Sequence, residues 1–194
     1  IETNFRLSSR LLDWCTANAT PCIYASSAAT YGDGEQGFVD DPSLAALRQL
    51  RPMNLYGWSK YQFDLTVAER VARGDKLPPQ WAGLKFFNVF GPNEYHKGAM
   101  MSVLAKKFAD IKAGRAIQLF KSHRDGIADG DQRRDFIYVD DVVRVMMWLF
   151  ASPKVSGLFN VGTGRARSFR ELRLAAYAAL GVKLNIDYID RPES

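Results

Sequence analysis

The chain has 194 residues, 47% of them hydrophobic and 24% charged, which suits one sizeable core with room for a small lobe and excludes a low-complexity or disordered polymer. No apolar run approaches the roughly 18 residues that span a bilayer, no secretory signal opens the chain, and Cys15 and Cys22 make neither a disulfide framework nor a metal motif, so a reducing cytoplasm is expected. The net charge of +5 is spread over scattered basic residues: a solvated surface explains most of them, and one phosphorylated ligand explains a few convergent arginines as well as nucleic acid would; no nucleic-acid or membrane partner is expected.

Leu7, Leu11, Leu12 and Cys15 fall on one face of an opening helix. Cys22–Ala25 reads as a short apolar strand, followed by the small hydroxyl residues of SSAATYG. Residues 32–52 read as a loop holding one short helix, SLAALRQL, and Tyr56–Arg73 as a long helix. Leu84–Val89 is a predicted strand closed by Gly91-Pro92. A helix is predicted over Met100–Ala113, stopped by Gly114, then the strand AIQLF and the charged loop SHRDGIADGDQRR. The strand DFIYV leads into the helix VVRVMMWLFAS, which Asp140 or Asp141 can cap, and GLFNVG is the next strand. Ser168 and Glu171 have capping-box spacing for a helix that runs to Gly181, and KLNIDYI is the last strand. Strands that are apolar throughout, alternating with helices, predict a parallel sheet covered on both faces. The pattern starts and stops inside elements and the first residue is not Met, so a piece of something longer is expected.

In LYGWSK, Tyr56 and Lys60 are four apart and share a helix face. A phenol is a poor base at neutral pH, with a reference pKa of about 10, and a nearby ammonium favours its phenolate. The pair is either a tuned acid/base or an ordinary amphipathic face with a charge at its edge, and spacing alone does not separate the two. Ligands of open α/β sheets sit beyond the carboxyl ends of the strands. SSAATYG and NVFGPNEYHKGAMM follow two strand ends, and DQRR precedes a third strand. These stretches and the Tyr56 helix are expected at one rim, which favours the acid/base reading.

SSAATYG, YGWSK, FFNVFGP, RRDFIYVDDV and FNVGTG, in this order, resemble the extended short-chain dehydrogenase/reductase family, and FNVFGPNEYHKGAMMSV and FNVGTGRARSF resemble its heptose epimerase group. The resemblance implies an α/β fold: part of a Rossmann-type doubly wound parallel sheet with a small α/β substrate-binding lobe. Residues 1–87 and 135–162 would belong to the cofactor domain, and 88–134 with 163–194 to the substrate lobe. It implies bound NADP, with NAD as the alternative, a nucleotide sugar (ADP-heptose) as substrate, epimerisation by transient oxidation at C6, and a homo-oligomer feeding lipopolysaccharide core synthesis.

By the same resemblance Tyr56 is the catalytic tyrosine, Lys60 lowers its pKa and holds the nicotinamide ribose, and Ser27 hydrogen-bonds the reacting sugar oxygen. Asn4 lies near the cofactor, Asn88 and Val89 line substrate and cofactor, and Lys97 is a second base that also borders the cofactor. Phe120, Lys121, Ser122, His123 and Arg134 form the walls of the ADP-sugar site; arginine suits that role because its planar fork binds phosphate oxygens bidentately.

The sequence also departs from the family. The glycine-rich turn that holds the cofactor pyrophosphate is absent, so the chain alone is expected not to turn over. Ala99 and Lys106 stand where the family has serine and histidine, so those contacts are not carried over. Ala28-Ala29 replace the Asp-Glu pair of 4,6-dehydratases. The alternatives are a UDP-hexose 4-epimerase and a non-catalytic dinucleotide-binding relative; relatives of the second kind often lose the tyrosine or lysine, and both are present here. No metal is expected: His96 and His123 lack ligand spacing, and Asp125, Asp129 and Asp131 are out of calcium-loop register. Met100, Met101, Met146 and Met147 read as core packing, and GTG at 162–164 as a strand-to-helix turn.

Overall fold

The computed structural model describes residues 2–122 and 125–190. Its contacts divide the chain into two compact units, one of residues 1–87 and 142–161, the other of 88–141 and 162–194.

In the first unit, β1 (Cys22–Ser27), β2 (Trp81–Phe86) and β6 (Gly157–Val161) form a parallel sheet in the order β1-β2-β6. Ser27 is level with Phe86, and Phe86 with Val161, so the three carboxyl ends make one rim. A π-helical turn, Glu2–Leu7, leads into α1 (Ser8–Ala17), and α2 (Leu44–Leu47) precedes α3 (Leu55–Arg73). The apolar sides of α1 and α3 bury Leu12, Phe63 and Val67 against Cys22, Tyr24 and Trp81 of the strands. A second cluster joins Tyr31, Leu47, Leu50, Tyr61 and Leu158. Gln80 is buried just before β2, and its amide donates to the carbonyls of Leu149, Ser152 and Val155, satisfying the end of α5 (Val139–Phe150).

In the second unit, β3 (Asn88–Phe90) pairs in parallel with β5 (Arg133–Tyr138), and β5 pairs antiparallel with β7 (Ala166–Ser168). A separate parallel pair is β4 (Ile117–Phe120) with β8 (Ile186–Ile189). Between α4 (Val103–Lys112) and α6 (Phe169–Leu180), Ile111, Ile117 and Tyr177 are buried together. Both halves of the predicted capping box at Ser168 and Glu171 are present, and Gly181 ends α6 in the left-handed conformation.

The structure corrects several sequence expectations. The strand predicted over Leu84–Val89 is two strands: the Phe87 amide still donates to Val161 of the first sheet at 3.1 Å, and Asn88 then pairs with Phe136. The helix predicted over Met100–Ala113 is a 3-10 turn, Tyr95–Met100, kinked at Gly98, followed by α4, which Ser102 caps by accepting from the Ala105 amide. Asp140 and Asp141 lie within the first turn of α5 rather than before it, where a carboxylate still favours the positive end of the helix dipole. Residues 135–141 group by their contacts with the second unit, where β5 pairs with β3. Strand β7 carries no apolar alternation and is formed by its pairing with Arg133–Asp135.

Candidate active site

The rim of the first sheet carries Ser27, and the first turn of α3 carries Tyr56. Asn54 starts the helix, its side chain accepting from the Gly57 amide at 2.8 Å. The Ser27 hydroxyl oxygen accepts from the Ala29 amide at 3.1 Å and so caps the 3-10 turn Ala28–Tyr31. Gly57 lets these two pieces meet, since a Cβ there would stand 2.7 Å from the Ala29 carbonyl oxygen. Gly57→Ala is therefore expected to cost about 1–3 kcal/mol, because α3 must move off the turn. Thermal unfolding checks it, and an unchanged midpoint would show that the helix and turn do not approach this closely.

Lys60 lies one turn beyond Tyr56. Its ammonium donates to the Ala25 carbonyl at 2.9 Å and stands 5.9 Å from the centroid of the Tyr56 ring. Burial pushes the Lys60 pKa below its ordinary value, and the charge of Asp64 pulls the other way. Tyr56 is 49% exposed, so its phenol is open to a ligand. Asn4 donates to the Ser59 hydroxyl at 3.2 Å, and that hydroxyl donates to the Tyr56 carbonyl at 2.7 Å, so Asn4 braces the back of the first turn. Lys60 has three donors and gives one to Ala25, so the others could meet ligand hydroxyls beside the Tyr56 phenol. Ser27, Asn4, Tyr56 and Lys60 are thus brought together within one unit.

Beneath them is a buried polar cluster that the sequence reading did not single out. Asp64 accepts from the Ser26 hydroxyl at 2.6 Å and lies 3.8 Å from the Lys85 ammonium. Lys85 donates to the Thr30 hydroxyl at 3.1 Å and stands 4.4 Å over the Tyr31 ring. Burial raises the Asp64 carboxyl to about 6, against the pull of Lys85, Ser26, Tyr24 and Lys60. Burial lowers Lys85, against Asp64 and Asp40. The Tyr24 hydroxyl and Asp64 Oδ1 are buried without a well-formed hydrogen bond, and Tyr24 is raised by burial first and then by the Asp64 charge. The available signal was a lysine inside the apolar strand LKFF, a residue type that is rarely buried unless paired.

The second unit holds the other expected residues. Asn88 and Val89 lie on β3. Lys97 is on the 3-10 turn, with its ammonium 3.4 Å from Glu94, and its side chain is 43% exposed. Glu94 was also missed. It is buried and accepts from the Ser102 amide and hydroxyl and the Gly91 amide. Burial acts to raise its carboxyl, but these hydrogen bonds and Lys97 hold it below the ordinary value.

Phe120 ends β4, and Lys121 reaches Asp190 at 3.2 Å. The Ser122 amide donates to Asp129 at 2.7 Å. His123 lies outside the described residues. Arg134 is exposed on β5, and its guanidinium donates to the Arg133 carbonyl at 2.7 Å. Phe120 and Arg134 fall in different strand pairings of this unit, β4 with β8 and β5 with β3 and β7. Asp135 accepts from the Thr163 amide and hydroxyl and the Gly164 amide, which makes GTG a carboxylate-held turn. Among the described residues no His, Cys, Asp or Glu cluster could hold a metal, and no helix is long and apolar enough to cross a membrane.

Residues 1–162 match the NAD dependent epimerase/dehydratase family. The ADP-L-glycero-D-manno-heptose-6-epimerase of Nitratidesulfovibrio vulgaris is 50% identical, over 100% of this chain and 58% of its own length. The crystal structure of the Helicobacter pylori ADP-L-glycero-D-manno-heptose-6-epimerase is 28% identical with a TM-score of 0.76, over 97% of this chain and 54% of that one. UDP-N-acetylglucosamine 4-epimerase from Methanobrevibacter ruminantium, in complex with UDP-N-acetylmuramic acid, is 25% identical with a TM-score of 0.77, over 97% of this chain and 56% of that one. The chain thus spans a little over half the length of these relatives.

Proposed function

The chain belongs to the NAD dependent epimerase/dehydratase family, and on that premise we propose that it carries the catalytic residues of an enzyme that converts ADP-D-glycero-D-manno-heptose to ADP-L-glycero-D-manno-heptose. The observation that carries the reading is the Tyr56–Lys60 face of α3 beside Ser27 at the strand rim. The 50% identity to a heptose epimerase supports the substrate. The fold does not separate heptose from hexose enzymes, since the two structural relatives differ by only 0.01 in TM-score, 0.76 against 0.77.

When bound, a nicotinamide dinucleotide, which we assign as NADP, supplies a hydride acceptor and donor at C6 of the heptose. The Tyr56 phenolate takes the proton of the C6 hydroxyl as that carbon is oxidised. The Lys60 ammonium stabilises the phenolate and offers its remaining donors to the ribose. The Ser27 hydroxyl orients the sugar oxygen. After the ketone turns over, Lys97 would supply a proton to the reoriented oxygen, and solvent would take up the proton left on Tyr56 and restore that of Lys97. A dinucleotide that accepts one hydride and gives it back would leave no net redox change.

Incubating the full-length protein with the D-glycero substrate and following C6 configuration by NMR tests the reading. L-glycero product is expected. Turnover of UDP-glucose or UDP-N-acetylglucosamine with no change in the ADP-heptose would overturn it in favour of a hexose 4-epimerase.

Arg134 is proposed to bind the ADP phosphates. Arg134→Ala is expected to weaken nucleotide-sugar binding by about 1.5–3 kcal/mol, roughly 10- to 150-fold, and cofactor binding much less. Titration of both ligands decides this, and equal weakening of both, or of neither, counts against the assignment.

A further inference from the structure

Tyr56, Lys60 and Asp64 occupy every fourth position of α3 and form one stripe along it. Exposure falls along the stripe from 49% at Tyr56, through a half-buried Lys60, to 1% at Asp64. Its buried end is tied to other elements. Asp64 grips Ser26 of β1 at 2.6 Å and pairs with Lys85 of β2 at 3.8 Å. Lys85 holds the Thr30 hydroxyl at 3.1 Å, and that hydroxyl donates to the Ser27 carbonyl at 2.9 Å. Lys60 meanwhile holds the Ala25 carbonyl at 2.9 Å. Three consecutive residues at the end of β1 are therefore held, Ala25 by Lys60, Ser26 by Asp64, and Ser27 by the Thr30 that Lys85 holds.

A buried ion pair is a weak net stabiliser compared with apolar residues of the same volume. The geometry gives this one another use. We propose that Asp64 and Lys85 are positioning residues for the site: they lock the end of β1 to α3, fixing Ser27 relative to Tyr56, and the Asp64 charge holds the Lys60 ammonium against the Ala25 carbonyl. The inference rests on the reading of Tyr56 as the acid/base given above. Asp64 meets Lys85 from β2, Tyr24 from β1, Tyr31 from the 3-10 turn and Lys60 from its own helix, and Lys85 also stands over the Tyr31 ring and feels Asp40. With its carboxylate gone, Lys60 keeps the burial that disfavours its charge and loses the one group that opposes it.

The test uses the full-length protein with Asp64→Asn, which keeps shape and removes charge, Lys85→Met, and the two together. The first readout is an NMR pH titration of isotope-labelled lysine, with the Lys60 signal identified by its loss in Lys60→Arg. Lys60 is expected to lose its proton at lower pH in Asp64→Asn than in the unaltered protein. The second readout is epimerase kinetics: kcat per folded molecule is expected to fall ~10-fold in Asp64→Asn with KM nearly unchanged. In the double variant, which leaves no unpaired buried charge, the thermal midpoint should recover while kcat does not. If the Lys60 titration is unmoved in Asp64→Asn, or if kcat recovers together with the midpoint, the pair is only structural and the inference is overturned. Should Asp64→Asn fail to fold, Ser26→Ala, which removes only the hydrogen bond to Asp64, must show a smaller kcat loss in the same direction; unchanged kcat overturns the inference. An unaltered protein without epimerase activity would instead sink the substrate reading, and the Lys60 titration would still decide the role of Asp64.

Discussion

Tyr56→Phe is expected to lower epimerase turnover by about 10²–10⁴-fold in the full-length enzyme while leaving the fold and cofactor binding in place. The substitution removes one oxygen. Among the described residues no hydrogen bond to the Tyr56 hydroxyl occurs, and the ring is half exposed at 49%, so the phenol has no structural duty to lose. Its neighbours are arranged for chemistry instead. Lys60, pushed down by burial, is held near the ring by the Ala25 carbonyl, and Ser27 stands on the adjoining rim, where the Gly57 contact fixes the approach of the helix. The phenylalanine variant should therefore keep its unfolding free energy within the ±0.5 kcal/mol typical of benign surface changes. Near-normal turnover in that variant would remove Tyr56 from the mechanism and leave the Tyr56–Lys60 spacing as an amphipathic face.

What was readable in advance follows from how local each feature is. The capping box of α6 needs only Ser168 and Glu171 and was visible as a four-residue pattern. The Tyr56–Lys60 face is equally local, and so is the ending of β1 in small hydroxyl residues. The break at Phe87 was invisible because FFNVF reads as one continuous strand, the lone Asn88 giving no turn signal. What changes there is the partner, from Val161 in one sheet to Phe136 in another, and both partners are more than 40 residues away along the chain. The same holds for Asp135, whose partners at Thr163 and Gly164 come from another stretch. Lys85 could have been flagged as a charge in an apolar strand, but naming Asp64 as its partner required the packing of α3 on the sheet.

Lys97→Met is expected to lower epimerisation by roughly 10²-fold or more while cofactor stays bound, a loss in the range of general acid–base contributions. An enzyme that takes hydride from one face of C6 and returns it to the other must turn the ketone between the two steps. If the turn carries the carbonyl oxygen away from the Tyr56 phenol, a second proton donor is needed. Lys97 has the anchoring such a donor needs. Its 3-10 turn follows the Gly91-Pro92 exit from β3, and its ammonium pairs with Glu94 at 3.4 Å. Glu94 in turn is fixed by the Ser102 amide at 2.8 Å, the Ser102 hydroxyl at 2.7 Å and the Gly91 amide at 3.2 Å. The side chain is 43% exposed, so it can reach a ligand while staying tethered. The deciding comparison sets Lys97→Met against Tyr56→Phe in two assays, full epimerisation and the reduction of an aldehyde analogue bound in a single orientation. Lys97→Met should lose the first and keep the second, and Tyr56→Phe should lose both. Epimerisation at the unaltered rate in Lys97→Met would make Lys97 a surface residue paired with Glu94 and would return the proton transfers on both faces to Tyr56.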